Sequence, residues 1–189
     1  MNGTLSFQGG TLVLYDVDQS QDVPSPPFVW VKERWRCEAY HYPALLPWLH
    51  KQGIQNKLPR WQRLNLTLHD DRQPHDYQME ALDAWDDHQQ CGNIVLPTGS
   101  GKTYVAIQAI HKVNRSAIII APTIDLLHQW YARLVNVFET DIGVYYGGEK
   151  LVLPITVTTY HSSGDLIAQH GNAFKLIIFD GFQINLTNP

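Results

Sequence analysis

Cysteine is scarce in this sequence, and its spacing argues against a structural metal site. Only Cys37 and Cys91 occur among 189 residues, far apart and outside any CxxC or Cys/His pattern. Nine histidines are scattered without an HExxH pair, so a metal site built from them is not expected either. We expect both cysteines to be reduced and buried, as suits a reducing compartment.

Long apolar runs and an excess of basic charge are also lacking. No segment approaches the roughly 20 apolar residues of a membrane-spanning helix, and the first residues, MNGTLSFQGG, lack the pattern of a signal peptide. The formal net charge is −4, so no global positive field attracts nucleic acid or a membrane surface. We therefore expect a cytoplasmic protein with no membrane partner, in which any nucleic-acid binding is local.

Residues 1–70 are expected to form a small β-rich domain. Alternating residues from Thr4 to Tyr15 around Gly9-Gly10 predict a hairpin. Further elements are predicted at residues 28–31 (a strand), 43–53 (a helix in PALLPWLHKQG) and 61–68 (a strand).

Tryptophan and arginine are concentrated in this first segment. Such interleaving is typical of a surface on which nucleic-acid bases stack. It also fits a small domain that fills its core with large aromatic side chains, which we favour because tryptophan is highly buried on average. The residues concerned are Trp30, Trp35, Trp48, Trp61, Arg34, Arg36, Arg60 and Arg63.

Beyond the polar stretch HDDRQPH (residues 69–75), helices alternate with β-rich runs. This alternation predicts that residues 71–189 form an α/β domain with a mainly parallel sheet. Helices are predicted at residues 76–89, 102–112 and 124–138, and strands at 93–96, 117–121, 142–145, 155–159 and 175–180.

The strongest motif is LPTGSGKT, residues 96–103. Its glycines allow main-chain N–H groups to wrap phosphate oxygens, and the helix that opens at Lys102 adds a positive dipole. In such a loop the lysine reaches the β and γ phosphates, and the hydroxyl of Thr103 faces Mg²⁺. We therefore predict a nucleotide-binding loop formed by Thr98, Gly99, Ser100, Gly101, Lys102 and Thr103.

Four segments together resemble superfamily 2 helicases, most closely those of the XPB type. HDYQMEAL (75–82) is similar to their adenine-recognition element, and APTIDLLHQW (121–130) to their motif Ia. VTTY (157–160) is similar to motif Ic, and LIIFD (176–180) to the strand that carries the DExH box. The resemblance implies a RecA-like domain that uses ATP and Mg²⁺ and acts on DNA.

The resemblance also implies a role for each matching residue. Gln78 is expected to bind the adenine edge, and Lys102 and Asp180 to be the catalytic groups. Thr103 and Asp180 are expected to hold Mg²⁺. The residues implied to contact DNA phosphates are Thr123, Thr158 and Thr159, for which helix capping or a strand end is the alternative.

Two departures from the family pattern limit what is expected of this chain. Gly181 stands where the family has the glutamate that activates water, a loss that typically costs about 10²–10⁴ in rate. No Ser-Ala-Thr motif, second RecA-like domain or arginine finger follows in the sequence. The RecA-like domain is thus expected to be incomplete, with a vacancy in its sheet that the alternating tail (Phe182, Ile184, Leu186) cannot fill, because a parallel neighbour needs a long crossover.

The expected function follows from these matches and departures. The chain is expected to bind MgATP and DNA as the N-terminal portion of an ATP-dependent DNA helicase, without hydrolysing ATP alone. It is either the remnant of a longer protein or a short module whose sheet a second chain completes. The alternative function is a non-enzymatic DNA-binding or adaptor module with a relic phosphate loop.

Overall fold

The computed structural model of the chain describes residues 3–181, which divide into two compact units. The first unit contains the described residues up to Trp61 together with Ser162–Ala173. The second contains Gln62–His161 and the described residues from Phe174 onward. The boundary proposed at residue 70 lies inside the second unit, because residues 62–69 pack on the core of that unit.

The first unit is built on a five-stranded sheet in the order β3-β4-β2-β1-β5, antiparallel except where β1 pairs with β5. The predicted hairpin is β1 and β2, joined at Gly9 and Gly10, both with positive φ (59° and 80°). The elements are β1 (Thr4–Gln8), β2 (Thr11–Tyr15), β3 (Val29–Val31), β4 (Arg34–Glu38), α1 (Tyr42–Gln52) and β5 (Gln55–Asn56).

The tryptophans of β3, β4 and α1 serve the core of the first unit. Trp35 is buried, packs edge-on against Trp30 with 5.3 Å between ring centroids, and donates its indole N–H to the Asp18 carbonyl at 3.2 Å. Trp48 packs against the same core and contacts the ring of Phe28. The structure thus favours the core interpretation of these three side chains.

The second unit carries a mainly parallel sheet in the order β10-β6-β9-β7-β8, and among its described strands only the β7–β8 pair is antiparallel. β6 is completely buried between its two parallel neighbours, as its sequence AIIIA requires. The elements are α2 (Asp76–Asp87), α3 (Lys102–Val113), β6 (Ala117–Ala121), α4 (Ile124–Phe138), β7 (Gly143–Tyr146), β8 (Glu149–Leu151), β9 (Ile155–Thr159), α5 (Tyr160–His170) and β10 (Leu176–Phe179).

The strand predicted at residues 93–96 does not form, and that prediction is wrong. Val95 is 89% exposed, and no residue from 93 to 96 belongs to either sheet. A strand needs a hydrogen-bonded neighbour, and in the described part of the chain β10 is a terminal strand that pairs only with β6. The tail with Phe182, Ile184 and Leu186 lies outside the described residues.

The strand predicted at residues 61–68 is also wrong, although the alternating leucines of this segment do pack against a core. Leu64, Leu66 and Leu68 pack against the core of the second unit. Their backbone bonds to helix ends instead of a strand: the N–H groups of Leu64 and Leu66 donate to the carbonyl and the side-chain oxygen of Asn114, both at 3.1 Å. The N–H of His69 donates to the Val137 carbonyl at 2.8 Å. Residues 62–69 are therefore a strap across the ends of α3 and α4.

The two cysteines differ in burial, although both were expected to be buried. Cys37 is buried, and its burial, reinforced by the charge of Glu38, raises the pKa of its thiol to about 12. Cys91 is exposed, so its predicted burial is wrong.

Within residues 3–181, no helix is both long enough and apolar enough to cross a membrane.

Asn114 is expected to hold the strap, and two substitutions separate its contributions. Its backbone is left-handed (φ 49°), which alanine adopts at a cost of about 1–2 kcal/mol and glycine at none. Both substitutions remove the hydrogen bond to Leu66, worth about 1 kcal/mol. Urea unfolding should therefore show a larger loss of stability for Asn114→Ala than for Asn114→Gly. No loss in Asn114→Gly would contradict the role of its side chain in holding the strap, and equal losses in the two variants would contradict the backbone cost.

Candidate nucleotide site

The glycine-rich loop lies between the unpaired residues 93–96 and the first turn of α3. Gly99 and Gly101 both have left-handed backbones (φ 80° and 81°), which glycine adopts without steric cost. Ser100 closes the turn by donating its N–H at 3.3 Å and its hydroxyl at 2.6 Å to the Pro97 carbonyl. α3 begins directly afterwards, so its free N–H groups and positive dipole end face the loop.

Lys102 folds back over this loop. Its Nζ donates to the carbonyl oxygens of Leu96 and Pro97, each at 3.0 Å, and its side chain is exposed. These partners are neutral, and a charged phosphate oxygen makes a hydrogen bond about twice as strong. The amine is therefore held where an anion on the loop can displace its present partners. Thr103 follows in the first turn of the helix and is half-buried.

α2 holds the loop through two side chains that meet at one carbonyl group. The buried Gln78 donates from Nε2 to the Ser100 carbonyl at 2.8 Å, and Tyr77 donates its hydroxyl to the same oxygen at 2.9 Å. The other end of the Gln78 amide accepts from the His75 N–H at 3.0 Å. A Cβ on Gly101 would lie 2.6 Å from Nε2 of Gln78, so the close approach requires glycine. The predicted contact of Gln78 with adenine stays a prediction, and here both ends of its amide have protein partners.

A cavity of about 220 Å³ opens between the start of α2 and the loop. Two ring pairs line it: His75 stacks on Tyr77 with 5.4 Å between centroids, and the Arg72 guanidinium lies 4.8 Å from the centre of the Tyr104 ring. The complete lining is Arg72, Gln73, His75, Tyr77, Gln78, Gly99, Ser100, Gly101 and Tyr104. Flat rings and a planar cation around a small space suit a planar heterocycle.

Arg72 is fixed at this cavity by Asp70. Its Nε donates to Oδ1 of Asp70 at 2.8 Å and its terminal nitrogen to Oδ2 at 2.5 Å, a bidentate pair. The hydrogen bonds from Arg72 lower the pKa of the Asp70 carboxyl below its ordinary value, despite its burial. Tyr104 adds a hydrogen bond from its hydroxyl to the Arg72 carbonyl at 3.0 Å. The polar stretch HDDRQPH (residues 69–75), after which the α/β pattern begins, therefore contributes Arg72, Gln73 and His75 to the wall of the site.

Asp180 stands at the carboxyl end of β10, and α3 packs against that strand. Oδ2 of its carboxylate accepts from the indole N–H of Trp130 at 2.7 Å, and its carbonyl accepts from the Tyr160 hydroxyl at 3.3 Å. The Tyr160 pKa is raised by burial and by the charge of Asp180. Asp180 thus has a defined orientation at the edge of the sheet.

Thr103 and Asp180 fit a magnesium ion that binds together with the phosphates of a nucleotide. Within residues 3–181, no three His, Cys, Asp or Glu side chains cluster as a metal cage would need. Mg²⁺ usually binds one or two protein oxygens and takes its remaining ligands from phosphates and water. The hydroxyl of Thr103 and the carboxylate of Asp180 are hard oxygen donors of that kind, on neighbouring elements.

Gly181, which stands where a glutamate was expected, has a backbone conformation that favours glycine. Its φ is +72°, in the left-handed region that side chains other than glycine's rarely adopt. An added Cβ would meet Cγ of Pro122 at 3.4 Å, an ordinary van der Waals contact, so the backbone conformation is what disfavours other residues here. A glutamate at this position would therefore need a changed backbone as well as a changed side chain.

The three threonines predicted to contact DNA have intramolecular roles. The Thr123 hydroxyl accepts from the Leu126 N–H at 3.2 Å and caps α4, which is the alternative considered for it. Thr158 is fully buried and donates its hydroxyl to the Tyr145 carbonyl at 2.6 Å, and Thr159 is also buried. DNA contact by these residues stays a prediction.

A family model identifies the second unit. Residues 71–182 match the family described as "Type III restriction enzyme, res subunit". The match covers more than half of the chain. The chain belongs to this family.

Curated relatives confirm the resemblance to XPB-type helicases. "DNA 3'-5' translocase XPB2" of Sulfurisphaera tokodaii is 44% identical over 105 residues, 56% of this chain and 24% of that protein. "Putative DNA 3'-5' helicase Rad25" of Halobacterium salinarum is 34% identical over 125 residues (62% and 20%). "DNA 3'-5' helicase XPB" of Mycobacterium tuberculosis is 35% identical over 100 residues (50% and 18%). The chain spans less than a quarter of the length of these relatives.

One solved structure resembles the chain more distantly. The UvsW helicase from Bacteriophage T4 aligns with 95% of this chain and all of that chain, at 13% identity and a TM-score of 0.39. This score is too low to support an argument about function.

Gln78 is expected to contribute more to stability than its neighbour Tyr77. Gln78→Ala leaves the His75 N–H without its side-chain acceptor, removes one of the two side-chain donors to the Ser100 carbonyl and empties a buried position, a loss of about 1–3 kcal/mol. Tyr77→Phe removes only one exposed hydrogen bond, worth about 0.5–1.5 kcal/mol. Urea unfolding followed by circular dichroism measures both losses. If Gln78→Ala loses no more stability than Tyr77→Phe, Gln78 does not hold the loop as described.

Proposed function

We propose that this chain binds MgATP and DNA as part of an XPB-type, ATP-dependent DNA helicase or translocase, and that it does not hydrolyse ATP by itself. The observation that carries the proposal is the glycine loop at the start of α3 with Lys102 folded over it. Such a loop offers N–H groups, a helix dipole and a mobile cation to one anionic group.

The phosphates of ATP are proposed to lie on this loop, with main-chain N–H groups of residues 98–103 around them. Lys102 exchanges its two carbonyl partners for β- and γ-phosphate oxygens. Thr103 and Asp180 would hold the magnesium ion, which when bound neutralises the phosphate charge. The protein groups thereby position the nucleotide before any reaction.

The base is proposed to occupy the cavity beside the loop. About 220 Å³ is less than the roughly 300–1,000 Å³ of typical drug-sized pockets, so the space suits a base better than a whole nucleotide. The Arg72 guanidinium and the rings of Tyr104 and Tyr77 offer stacking surfaces. Gln78 is proposed to reach the adenine edge by exchanging one of its present partners.

We propose that the chain does not hydrolyse ATP by itself because Gly181 follows Asp180. No carboxylate follows Asp180 to orient the attacking water, a loss of about 10²–10⁴ in rate. The arginine finger of such motors contributes about 10³–10⁵. We propose that a separate chain supplies that group and completes the sheet beside β10.

DNA is proposed as the second ligand because the relatives named above are described as DNA helicases or translocases. Motif Ia and motif Ic, which include Thr123, Thr158 and Thr159, are the elements proposed to touch its backbone.

The alternative function is a non-enzymatic DNA-binding module. It is favoured by the face of the first sheet on which the Arg34 guanidinium lies 4.5 Å from the centre of the Tyr15 ring. Arg36 shares this face, because it lies two residues after Arg34 in the same strand, β4. A cation beside an aromatic ring is a platform on which an unpaired base can stack.

Calorimetric titration of MgATP into the purified chain tests the proposed function. Lys102→Ala should weaken binding by about 10–100-fold, as expected for a lost hydrogen bond from a charged group to phosphate. Lys51→Ala, an exposed lysine of α1 in the first unit, is the matched control and should bind like the unsubstituted chain.

Two results would contradict the proposal in different ways. No saturable MgATP binding would leave the DNA-binding module as the better account, to be checked by fluorescence anisotropy with single-stranded DNA. DNA-stimulated phosphate release that disappears in Lys102→Ala would show that the chain hydrolyses ATP after all.

A further inference from the structure

The indole of Trp130 makes an unusual contact for a tryptophan in a hydrophobic core. The side chain is 3% exposed and packs in the core of the second unit, yet its N–H points at Oδ2 of Asp180 at 2.7 Å. By contrast, Trp35 and Trp61 donate to main-chain carbonyls, of Asp18 and Asn172. A hydrogen bond to a carboxylate is stronger and orients the whole group.

Three contacts from three elements fix Asp180. Its N–H donates to the Ile120 carbonyl of β6 at 2.9 Å, and its own carbonyl accepts from Tyr160 at the start of α5. The third contact comes from Trp130 of α4 and is the one that reaches the carboxylate. Since the indole is rigid and enclosed by the core, its N–H holds Oδ2 of the carboxylate in place.

We propose that Trp130 is a positioning residue for the magnesium of MgATP, acting through the carboxylate of Asp180. The proposal rests on the proposed function, because it assigns a role within the same site. Groups that hydrogen-bond to a metal-binding side chain orient it, and their loss typically lowers metal affinity by about 10–100-fold. Trp130 itself does not touch the metal, the nucleotide or the reacting atoms.

The competing explanation is that Trp130 matters only as apolar bulk. Phenylalanine distinguishes the two, because Trp130→Phe keeps an aromatic ring in the core and removes the N–H. Trp85→Phe is the matched control: Trp85 is buried in the same core, and no hydrogen bond from its indole to a carboxylate is among the described contacts. Both variants lose similar packing, and only one loses the contact with Asp180.

The experiment compares ATP affinity in excess Mg²⁺ with ATP affinity in EDTA, for the full chain and each variant. The ratio of the two affinities reports the magnesium contribution alone. We expect this ratio to fall about tenfold or more in Trp130→Phe and to stay unchanged in Trp85→Phe. Affinity in EDTA should be the same in all three proteins, since the phosphate loop is untouched.

Asp180→Asn completes the test as a double-mutant cycle. If Trp130 acts through Asp180, Trp130→Phe should lower the magnesium ratio far less in the Asp180→Asn background than in the unsubstituted chain. The indole proton of Trp130 provides a readout without nucleotide: its NMR resonance should be shifted downfield in the unsubstituted chain and return upfield in Asp180→Asn.

The outcomes separate this inference from the function on which it rests. If the unsubstituted chain shows no magnesium-dependent ATP binding, the proposed function fails and the role of Trp130 fails with it. If magnesium-dependent binding is present and Trp130→Phe behaves like Trp85→Phe, only the positioning role is overturned. Additive effects in the double-mutant cycle would overturn it as well.

Discussion

The hydrogen bonds from α2 to the Ser100 carbonyl are the constraint on which the candidate site depends. In many phosphate-loop proteins the strand before the loop anchors it in a sheet, but here residues 93–96 pair with no strand within the described chain. Instead, Tyr77 and Gln78 hold the loop through hydrogen bonds on one side, and the first turn of α3 continues directly from its other end. The same contacts close the cavity, so loop shape and base site are set together.

The parallel sheet supplies the second half of the site through the ends of its strands. β6, β9 and β10 run in the same direction, so Ala121, Thr159 and Asp180 come to one edge. α4 starts beside that edge after its cap Thr123, and the indole N–H of its residue Trp130 donates a hydrogen bond to the Asp180 carboxylate. The element proposed to touch DNA is thereby bonded to the carboxylate proposed to hold magnesium.

Elements set by local pattern were predicted well, and elements that depend on a distant partner were not. β6, α4 and β9 have the bounds that apolar runs and the Thr123 cap indicated. Residues 93–96 and 61–68 have strand-like sequences but lack strand neighbours. α5 was missed because Ser162, Ser163 and Gly164 weaken its helical pattern. In the site, the loop and Asp180 follow from motifs, whereas Arg72, Tyr104 and Trp130 were missed because their roles arise from long-range contacts.

Helix α2, and not a sheet, holds the phosphate loop in this structure. Amide hydrogen exchange tests it most directly, because sheet amides exchange slowly and unpaired ones rapidly. We expect the amides of residues 93–96 to exchange rapidly and those of β6 to be strongly protected. We also expect Gln78→Ala to accelerate exchange in residues 98–103. Protection of residues 93–96 equal to that of β6 would show that they form a paired strand and that a sheet, not α2, holds the loop.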